Sequence, residues 1–177
     1  RARTGSAKVL DIKKEEKRLL SPLLYDLTEL QRHANRLFGF SAQKTLQLAQ
    51  NLYEKHKLIS YPRTDSRFLT KDAAETLSEI IEKIREPYEN KLAPDTGRKT
   101  LNSRFINDKR VSDHHAIIPT PVSPSHLNKG SDEAKIYDLI CRRLLAAWHD
   151  AYITSVTSVT TIIETFDTEG KTNITNR

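Results

Sequence analysis

The chain has 177 residues, of which 37% are hydrophobic, enough to bury one sizeable core but leaving little material for a second. Its single cysteine, Cys141, excludes an internal disulfide and a cysteine zinc cluster, favours a reducing compartment, and is expected to be a small buried hydrophobe. The 29 Lys and Arg outnumber the 23 Asp and Glu, and the formal net charge of +6 favours a polyanionic partner. Because the chain starts at Arg1 rather than Met, we expect it to be a segment of a longer protein.

Three elements are predicted in the first third of the chain. Residues 8–20 mix apolar and charged side chains ahead of a proline, which indicates a strand or a linker. From Asp26 the apolar residues recur in threes and fours, so a helix is predicted there, with Gly39 at its C-terminal end. Ser41 can cap a second helix, whose apolar positions continue along one face toward Lys57.

An extended or turn segment is predicted around Tyr61. The following residue, Pro62, lacks an amide donor and disfavours helical geometry in the residue before it. Further along, Thr70 is expected to cap one continuous helix that includes the apolar positions up to Ile84 and stops at Pro87.

The second half of the chain combines loops with one strong helix and one strand. Residues 89–102 and 120–130 contain Pro and Gly with little periodicity, so both are predicted to be loops. A helix is predicted over 131–148, the β-branched run 153–165 indicates a strand, and 167–171 is predicted to be a hairpin turn. This order predicts an α+β protein, mainly α, in which a helical domain is inserted between β-strands of an adjoining domain.

The segment around Tyr61 carries residues suited to phosphate chemistry. A phenol has a reference pKa of about 10, so a tyrosine nucleophile needs cationic or hydrogen-bonding help at neutral pH. In an extended segment, positions two apart project to the same side, so Tyr61 and Arg63 can converge on one phosphate. By itself this pattern is weak, because Tyr and Arg two residues apart usually just flank a turn.

A second cluster contains His114 and His115 beside Asp113. Paired histidines next to an acid can bind metal, relay protons or contact phosphate. Adjacent positions on a strand point in opposite directions, so one ring facing a site is favoured over two rings on one metal. The alternative is two polar loop residues ahead of a buried segment, Ala116 to Ile118.

The two clusters together resemble the signatures of a known family. Residues 61–67, Tyr-Pro-Arg-Thr-Asp-Ser-Arg, resemble the active-site signature of type IA DNA topoisomerases, and residues 114–120, His-His-Ala-Ile-Ile-Pro-Thr, resemble their second signature. Residues 30–35 and 37–42 are similar to the family's lead-in helices. The likeness covers nearly the whole chain, and Pro62 with the doubled histidine resembles the topoisomerase III branch most.

The resemblance implies a role for each matching residue. Tyr61 corresponds to the nucleophile that forms a 5'-phosphotyrosine bond, and Arg63 to the arginine that contacts the scissile phosphate. His114 corresponds to the histidine that binds phosphate near the cleavage site, with His115 as the second choice. The remaining matches are expected to line the site and contact DNA: Ser60, Thr64, Asp65 and Ser66.

The resemblance also implies a mechanism and a domain organisation. One DNA strand is cleaved by transesterification, another strand passes through the gap, and the ester is reversed without ATP. Residues 21–151 are expected to form domain III, which carries the tyrosine, with 1–20 and 152–177 belonging to domain II. The family's magnesium-binding acids lie in a separate Toprim domain, so Mg²⁺ is expected for the full-length enzyme and no cofactor for this segment. The isolated segment is expected to cleave nothing.

The expected partners follow from the same resemblance. They are single-stranded DNA and the remaining topoisomerase domains, the Toprim domain and domain IV, with no membrane. A monomer located with DNA in the cytoplasm is expected, and nucleoid association if the source is bacterial. One alternative is a tyrosine recombinase, but its tyrosine is expected to follow its basic residues, whereas Tyr61 comes first, which argues against this class. The other is a helix-turn-helix module that binds DNA without chemistry through the short helices between Asp26 and Arg85.

Overall fold

The structure is a computed structural model that describes residues 6–166 and 172–176. The chain divides into two compact units, one formed by Arg1–Leu20 with Ala151–Arg177 and the other by Ser21–Asp150. The first unit is a sheet and the second is mainly helical, which confirms the predicted α+β class. That the helical unit is domain III, inserted between strands of domain II, stays a prediction.

Five α-helices form the scaffold of the helical unit. Side-chain oxygens of Asp26, Ser41, Thr70 and Ser131 each accept a hydrogen bond from a first-turn amide, satisfying a donor that has no partner within its helix. Gly39 ends the first helix in the left-handed region at φ 68°, as predicted. The helices are α1 (Leu27–Phe38), α2 (Ala42–Glu54), α3 (Lys71–Glu75), α4 (Leu77–Ile84) and α5 (Asp132–Leu145).

The single helix predicted from Thr70 to Ile84 is wrong, because the chain breaks between α3 and α4 at Thr76. The Thr76 hydroxyl donates to the carbonyl of Ala73 at 2.9 Å, a local bond that competes with the regular helical ladder. A 3₁₀ turn at Glu86–Lys91 contains Pro87 and covers the start of the predicted loop 89–102. Further 3₁₀ turns lie at Asp108–Arg110, Pro124–His126 and Ala146–Trp148.

The sheet unit is antiparallel, with strand order β1 (Ser6–Leu19), β2 (Tyr152–Phe166) and β3 (Thr172–Asn176). Ile12 pairs with Val159, and a register shift between Val9 and Asp11 marks a bulge in β1. The strands predicted near both ends are confirmed. The predicted hairpin turn at 167–171 lies outside the described residues.

Two distant motifs are joined in the centre of the helical unit. The buried segment 116–119 lies between residues 25 and 59 through isolated bridges, Tyr25 with Ile117 and Ile59 with Pro119. The amide of Ser60 donates to the carbonyl of Ile118 at 2.9 Å, so the tyrosine motif and the histidine motif form one backbone unit. Burial of the Ala116 to Ile118 segment agrees with its apolar sequence.

Three arginines hold the chain where it begins the helical unit. Arg104 donates to the carbonyl of Ser21 at 2.9 Å, Arg143 to that of Leu23 at 2.9 Å, and Arg67 to that of Leu24 at 3.2 Å. These side chains satisfy carbonyls that no helix or strand ladder satisfies. The result is a fixed approach to Tyr25, whose carbonyl in turn accepts from the amide of Ile117 at 2.8 Å.

Burial governs the chemistry of the groups in this core. The Cys141 thiol is buried, as predicted, and burial raises its pKa. The hydroxyl of the fully buried Tyr25 donates to Nδ1 of His33, and the Arg143 guanidinium lies 3.9 Å from the centre of the Tyr25 ring. The Arg143 guanidinium also lies 3.4 Å from Nδ1 of His33, and this cation, which can only donate, favours the neutral imidazole with Nδ1 as an acceptor.

Because His33 is partly buried beside Arg143, we expect the helical unit to lose stability in mild acid. Burial, followed by the cations Arg143 and Arg36, lowers the pKa of His33, with Glu29 opposing them. As the pH falls below about 6.5, His33 takes up a proton in the unfolded chain before it does so in the folded chain. The free energy of unfolding is therefore highest above that pH and decreases below it, until the pH is lower than the pKa of His33 in the folded chain.

Denaturant unfolding followed by fluorescence of Trp148, the only tryptophan of the chain, measures this loss. In His33→Gln, the free energy of unfolding is expected to decrease less between neutral and mildly acidic pH than it does in the wild type. His149→Gln, which removes an exposed histidine, is expected to show the same decrease as the wild type. An equal pH dependence in the wild type and His33→Gln would contradict the assignment.

None of the helices within residues 6–166 and 172–176 combines the length and the apolar character needed to cross a bilayer.

Candidate active site

Tyr61 lies in a non-helical segment that the histidine motif holds in place. The Ser60 side chain makes two bonds with that motif, donating to the carbonyl of Ala116 at 3.1 Å and accepting from the amide of Ile118 at 3.0 Å. Pro62 is buried directly after Tyr61, and the backbone at Tyr61 is non-helical, as predicted. The backbone on both sides of the phenol is therefore anchored.

The Tyr61 ring packs against an imidazole and a second phenol. Its centre lies 4.3 Å from that of His114, with the planes tilted by 44°. Tyr53, on α2, meets Tyr61 nearly edge-on, with the ring centres 5.4 Å apart and the planes at 79°. His114 is exposed, and Tyr61 is half-buried, so the phenol is oriented by its neighbours and still reachable from solvent.

A shallow cavity of about 200 Å³ opens beside this pair. Tyr61 and His114 both line it, which places the predicted nucleophile and the predicted phosphate-binding residue on one accessible surface. Such a concave site, with a few convergent polar groups, is typical of ligand-binding regions. The other lining residues are Ser60, Thr70, Val111, Ser112, Asp113 and His115.

Arg63 is not brought against the phenol. Its side chain is exposed and makes no hydrogen bond, ion pair or cation–π contact within the described part of the chain. The predicted convergence of Tyr61 and Arg63 on one phosphate stays a prediction. An arginine without an internal partner keeps its whole set of donors for an external anion.

The hydroxyls predicted to contact DNA are engaged internally in this structure. Thr64 Oγ1 donates to the carbonyl of His114 at 2.8 Å, and Ser66 Oγ donates to the carbonyl of Arg110 at 3.0 Å. Both residues are buried, and Ser60 Oγ donates to the carbonyl of Ala116. These groups shape the two motifs, and their direct contact with DNA stays a prediction.

Asp65 and His115 differ from their neighbours in exposure and partners. Asp65 is exposed and accepts from the Ser112 hydroxyl at 3.4 Å, so it neither orients Arg63 nor caps α3, whose cap is Thr70. Nδ1 of His115 lies 2.7 Å from the carbonyl of Ala116, and because a carbonyl only accepts, Nδ1 carries the proton. One ring of the histidine pair is thus tied to the backbone while the other lies against Tyr61.

Several residues of the site could not be identified from the sequence pattern. Tyr53 fits the pattern as an apolar position of α2, and only its edge-on contact with Tyr61 assigns it to the site. Val111, Ser112 and Thr70 line the cavity without belonging to residues 61–67 or 114–120. The position of Ser112 and Asp113 directly before the histidines is the available signal.

The described residues contain no group of three His, Cys, Asp or Glu side chains placed to hold one metal ion. Asp113 lines the cavity, and Asp65 accepts a hydrogen bond from Ser112, which also lines it. The Mg²⁺ expected for the full-length enzyme stays a prediction, and its ligands are expected in the Toprim domain.

The site therefore combines a half-buried tyrosine, packed against an exposed histidine, with a chain of net positive charge. Comparison with known proteins identifies the family. The chain belongs to the DNA topoisomerase family, whose model matches residues 1–176. This match confirms the resemblance to type IA topoisomerases drawn from the two motifs.

Similar relatives are bacterial and share the topoisomerase III type. The chain is 48% identical over 171 residues to DNA topoisomerase 3 of Bacillus licheniformis and 47% identical over 171 residues to DNA topoisomerase 3 of Bacillus subtilis. Each alignment covers 94% of this chain and 23% of the relative, so the chain spans less than a quarter of the length of these proteins.

A solved structure shows the same fold. Full-length topoisomerase I from Thermotoga maritima superposes with a TM-score of 0.55 at 26% identity, covering 99% of this chain and 28% of that one.

Proposed function

We propose that this chain is the tyrosine-bearing part of a type IA DNA topoisomerase of the topoisomerase III type, acting on single-stranded DNA. The helical unit would serve as domain III, from about Ser21 to Ala151, and the sheet unit as part of domain II. The observation that carries the proposal is the packing of Tyr61 against His114, 4.3 Å between ring centres, beside an open cavity.

The proposed step is a transesterification at one DNA phosphate. The phenolic oxygen of Tyr61 attacks phosphorus, and the bond from phosphorus to the 3'-oxygen of the neighbouring nucleotide breaks. The phenol loses a proton and the departing 3'-oxygen gains one, leaving a 5'-phosphotyrosine ester and a free 3'-hydroxyl. Reversal of the same exchange rejoins the strand. Because one phosphodiester replaces another, no ATP is consumed.

The neighbouring side chains supply positive charge and hydrogen bonds to the phosphate. Arg63 is exposed and, within the described residues, free of internal partners, which suits it to neutralise the charge that develops on the phosphoryl oxygens. His114, held beside the phenol, is suited to donate a ring N–H to the same phosphate. Tyr53 and the anchored Ser60 fix the orientation of the nucleophile.

The proposal assigns the metal and the remaining DNA surfaces to other domains. Mg²⁺ would be held by the Toprim domain, and domain IV would complete the DNA groove, with the enzyme a monomer acting on DNA in the cytoplasm. The 177-residue chain alone is accordingly expected not to relax supercoiled plasmid in the presence of Mg²⁺. Relaxation by the purified chain that disappears in Tyr61→Phe would contradict this expectation.

The direct test is to identify the residue that becomes bonded to DNA. The full-length enzyme is incubated with a labelled single-stranded oligonucleotide, denatured and digested, and the peptide carrying the nucleotide is sequenced by mass spectrometry. We expect the label on Tyr61. A label on any other residue would contradict the proposal. The absence of any covalent adduct would also contradict it, and would favour a module that binds DNA without cleaving it.

A further inference from the structure

Arg110 is an exposed arginine that packs on the ring of Phe68, close to the candidate active site. Its guanidinium carbon lies 4.2 Å from the centre of the Phe68 ring, a cation–π contact that restricts a side chain otherwise rich in rotamers. Its carbonyl accepts from the Ser66 hydroxyl at 3.0 Å. Both supporting residues belong to the end of the Tyr61 motif or directly follow it.

The support for Arg110 is itself well anchored. Phe68 is only 7% exposed, and its amide donates to Ser66 Oγ at 3.2 Å. The carbonyl of Phe68 accepts from the amide of Ala116 at 2.9 Å, so this residue is tied to the histidine motif as well. The guanidinium therefore packs on a buried, hydrogen-bonded residue, and this contact reduces the entropy lost when Arg110 binds a ligand.

No carboxylate neutralises Arg110 among the described residues. Two acids, one close to it in sequence and one bonded to a residue that lines the cavity, make other hydrogen bonds: Asp108 accepts from the amide of Lys71 at 3.0 Å, and Asp65 accepts from Ser112 at 3.4 Å. An oriented arginine without an anionic partner differs from Arg85, which pairs with two glutamates on the same unit. The arrangement leaves the planar donors of Arg110 available for an external anion.

Arg110 also lies next to the cavity of the nucleophile. The residue that follows it, Val111, lines the same cavity as Tyr61 and His114. We propose that Arg110 binds a backbone phosphate of the DNA strand next to the phosphate that Tyr61 attacks, and so guides the strand across the cavity. This inference rests on the proposed function, and it adds a phosphate subsite on the 3₁₀ turn Asp108–Arg110.

The test compares DNA binding by variants of the full-length enzyme, each carrying Tyr61→Phe so that binding is measured without cleavage. With a fluorescent single-stranded oligonucleotide, Arg110→Gln is expected to raise Kd about three- to tenfold at low salt. It is also expected to reduce the slope of log affinity against log salt by about 0.7, the contribution of one phosphate contact on a single strand. Arg110→Lys, which keeps the charge, is expected to retain the slope.

Arg98→Gln is the matched control, because Arg98 is also exposed and has no ion pair within the described residues, but it lines a different cavity. It is expected to change neither affinity nor slope. Unchanged binding in Arg110→Gln, or an equal loss in Arg98→Gln, would overturn the subsite. Adduct mapping on the enzyme with Tyr61 intact separates the two proposals. If Tyr61 forms the adduct but Arg110→Gln binds DNA normally, only the subsite is disproved. If no adduct forms but Arg110→Gln weakens DNA binding, only the cleavage function is disproved.

Discussion

Replacing Tyr61 by phenylalanine in the full-length enzyme is expected to abolish covalent attachment to DNA, lowering strand cleavage by on the order of a thousandfold or more. The substitution removes only the phenolic oxygen, so the ring contacts with Tyr53 and His114 and the buried Pro62 are kept. Binding of single-stranded DNA is expected to persist, because the cationic groups are unchanged. Adduct formation on a labelled oligonucleotide, trapped by denaturant, measures the effect.

The matched control is Tyr152→Phe, which removes the hydroxyl of an exposed tyrosine at the start of β2. It is expected to cleave and rejoin DNA at the wild-type rate. A Tyr61→Phe enzyme that still forms the adduct would refute Tyr61 as the nucleophile. Equal loss in both variants would point to a general defect in folding instead, which thermal melting of each variant would reveal.

The second largest effect is expected at His114. His114→Ala removes the ring that lies against Tyr61 and the N–H proposed to contact the phosphate, so we expect cleavage at saturating DNA to slow by about a hundredfold. The exposed position of His114 makes a folding defect small. Single-turnover cleavage separates this effect from weaker binding, because a group acting on the reacting phosphate changes the rate more than Kd.

His115→Ala provides the comparison within the same motif. Nδ1 of His115 is bonded to the carbonyl of Ala116 at 2.7 Å, so its removal is expected to affect the stability of the motif more than the rate of cleavage. A larger loss of the single-turnover cleavage rate in His115→Ala than in His114→Ala would assign the phosphate contact to His115 and the structural role to His114. Melting temperatures of both variants check the structural part.

Much of the local structure could be predicted because it depends on neighbouring residues. Ser41 and Thr70 cap helices as expected, and Ser131 caps the helix predicted to begin there, since an N-cap oxygen reaches an amide only two or three residues ahead. Gly39 ends α1 for a similarly local reason, because glycine enters the left-handed region without a steric penalty. The prediction of one helix from Thr70 was wrong because the helix breaks at Thr76, where a side-chain hydrogen bond competes with the helical hydrogen bonds. The apolar periodicity alone does not reveal this break.

The sequence by itself determined the α+β class, most helix boundaries, the non-helical backbone at Tyr61 and, through two short motifs, the topoisomerase family. Only the tertiary structure decided which side chains meet: Ser60 bonds with Ile118 across 58 positions, and Thr64 with His114 across 50. It likewise placed Tyr53 against Tyr61 and Arg110 on Phe68. The physical reason is that capping and chain stiffness act over a few residues, whereas contacts between distant segments form only when the whole core packs.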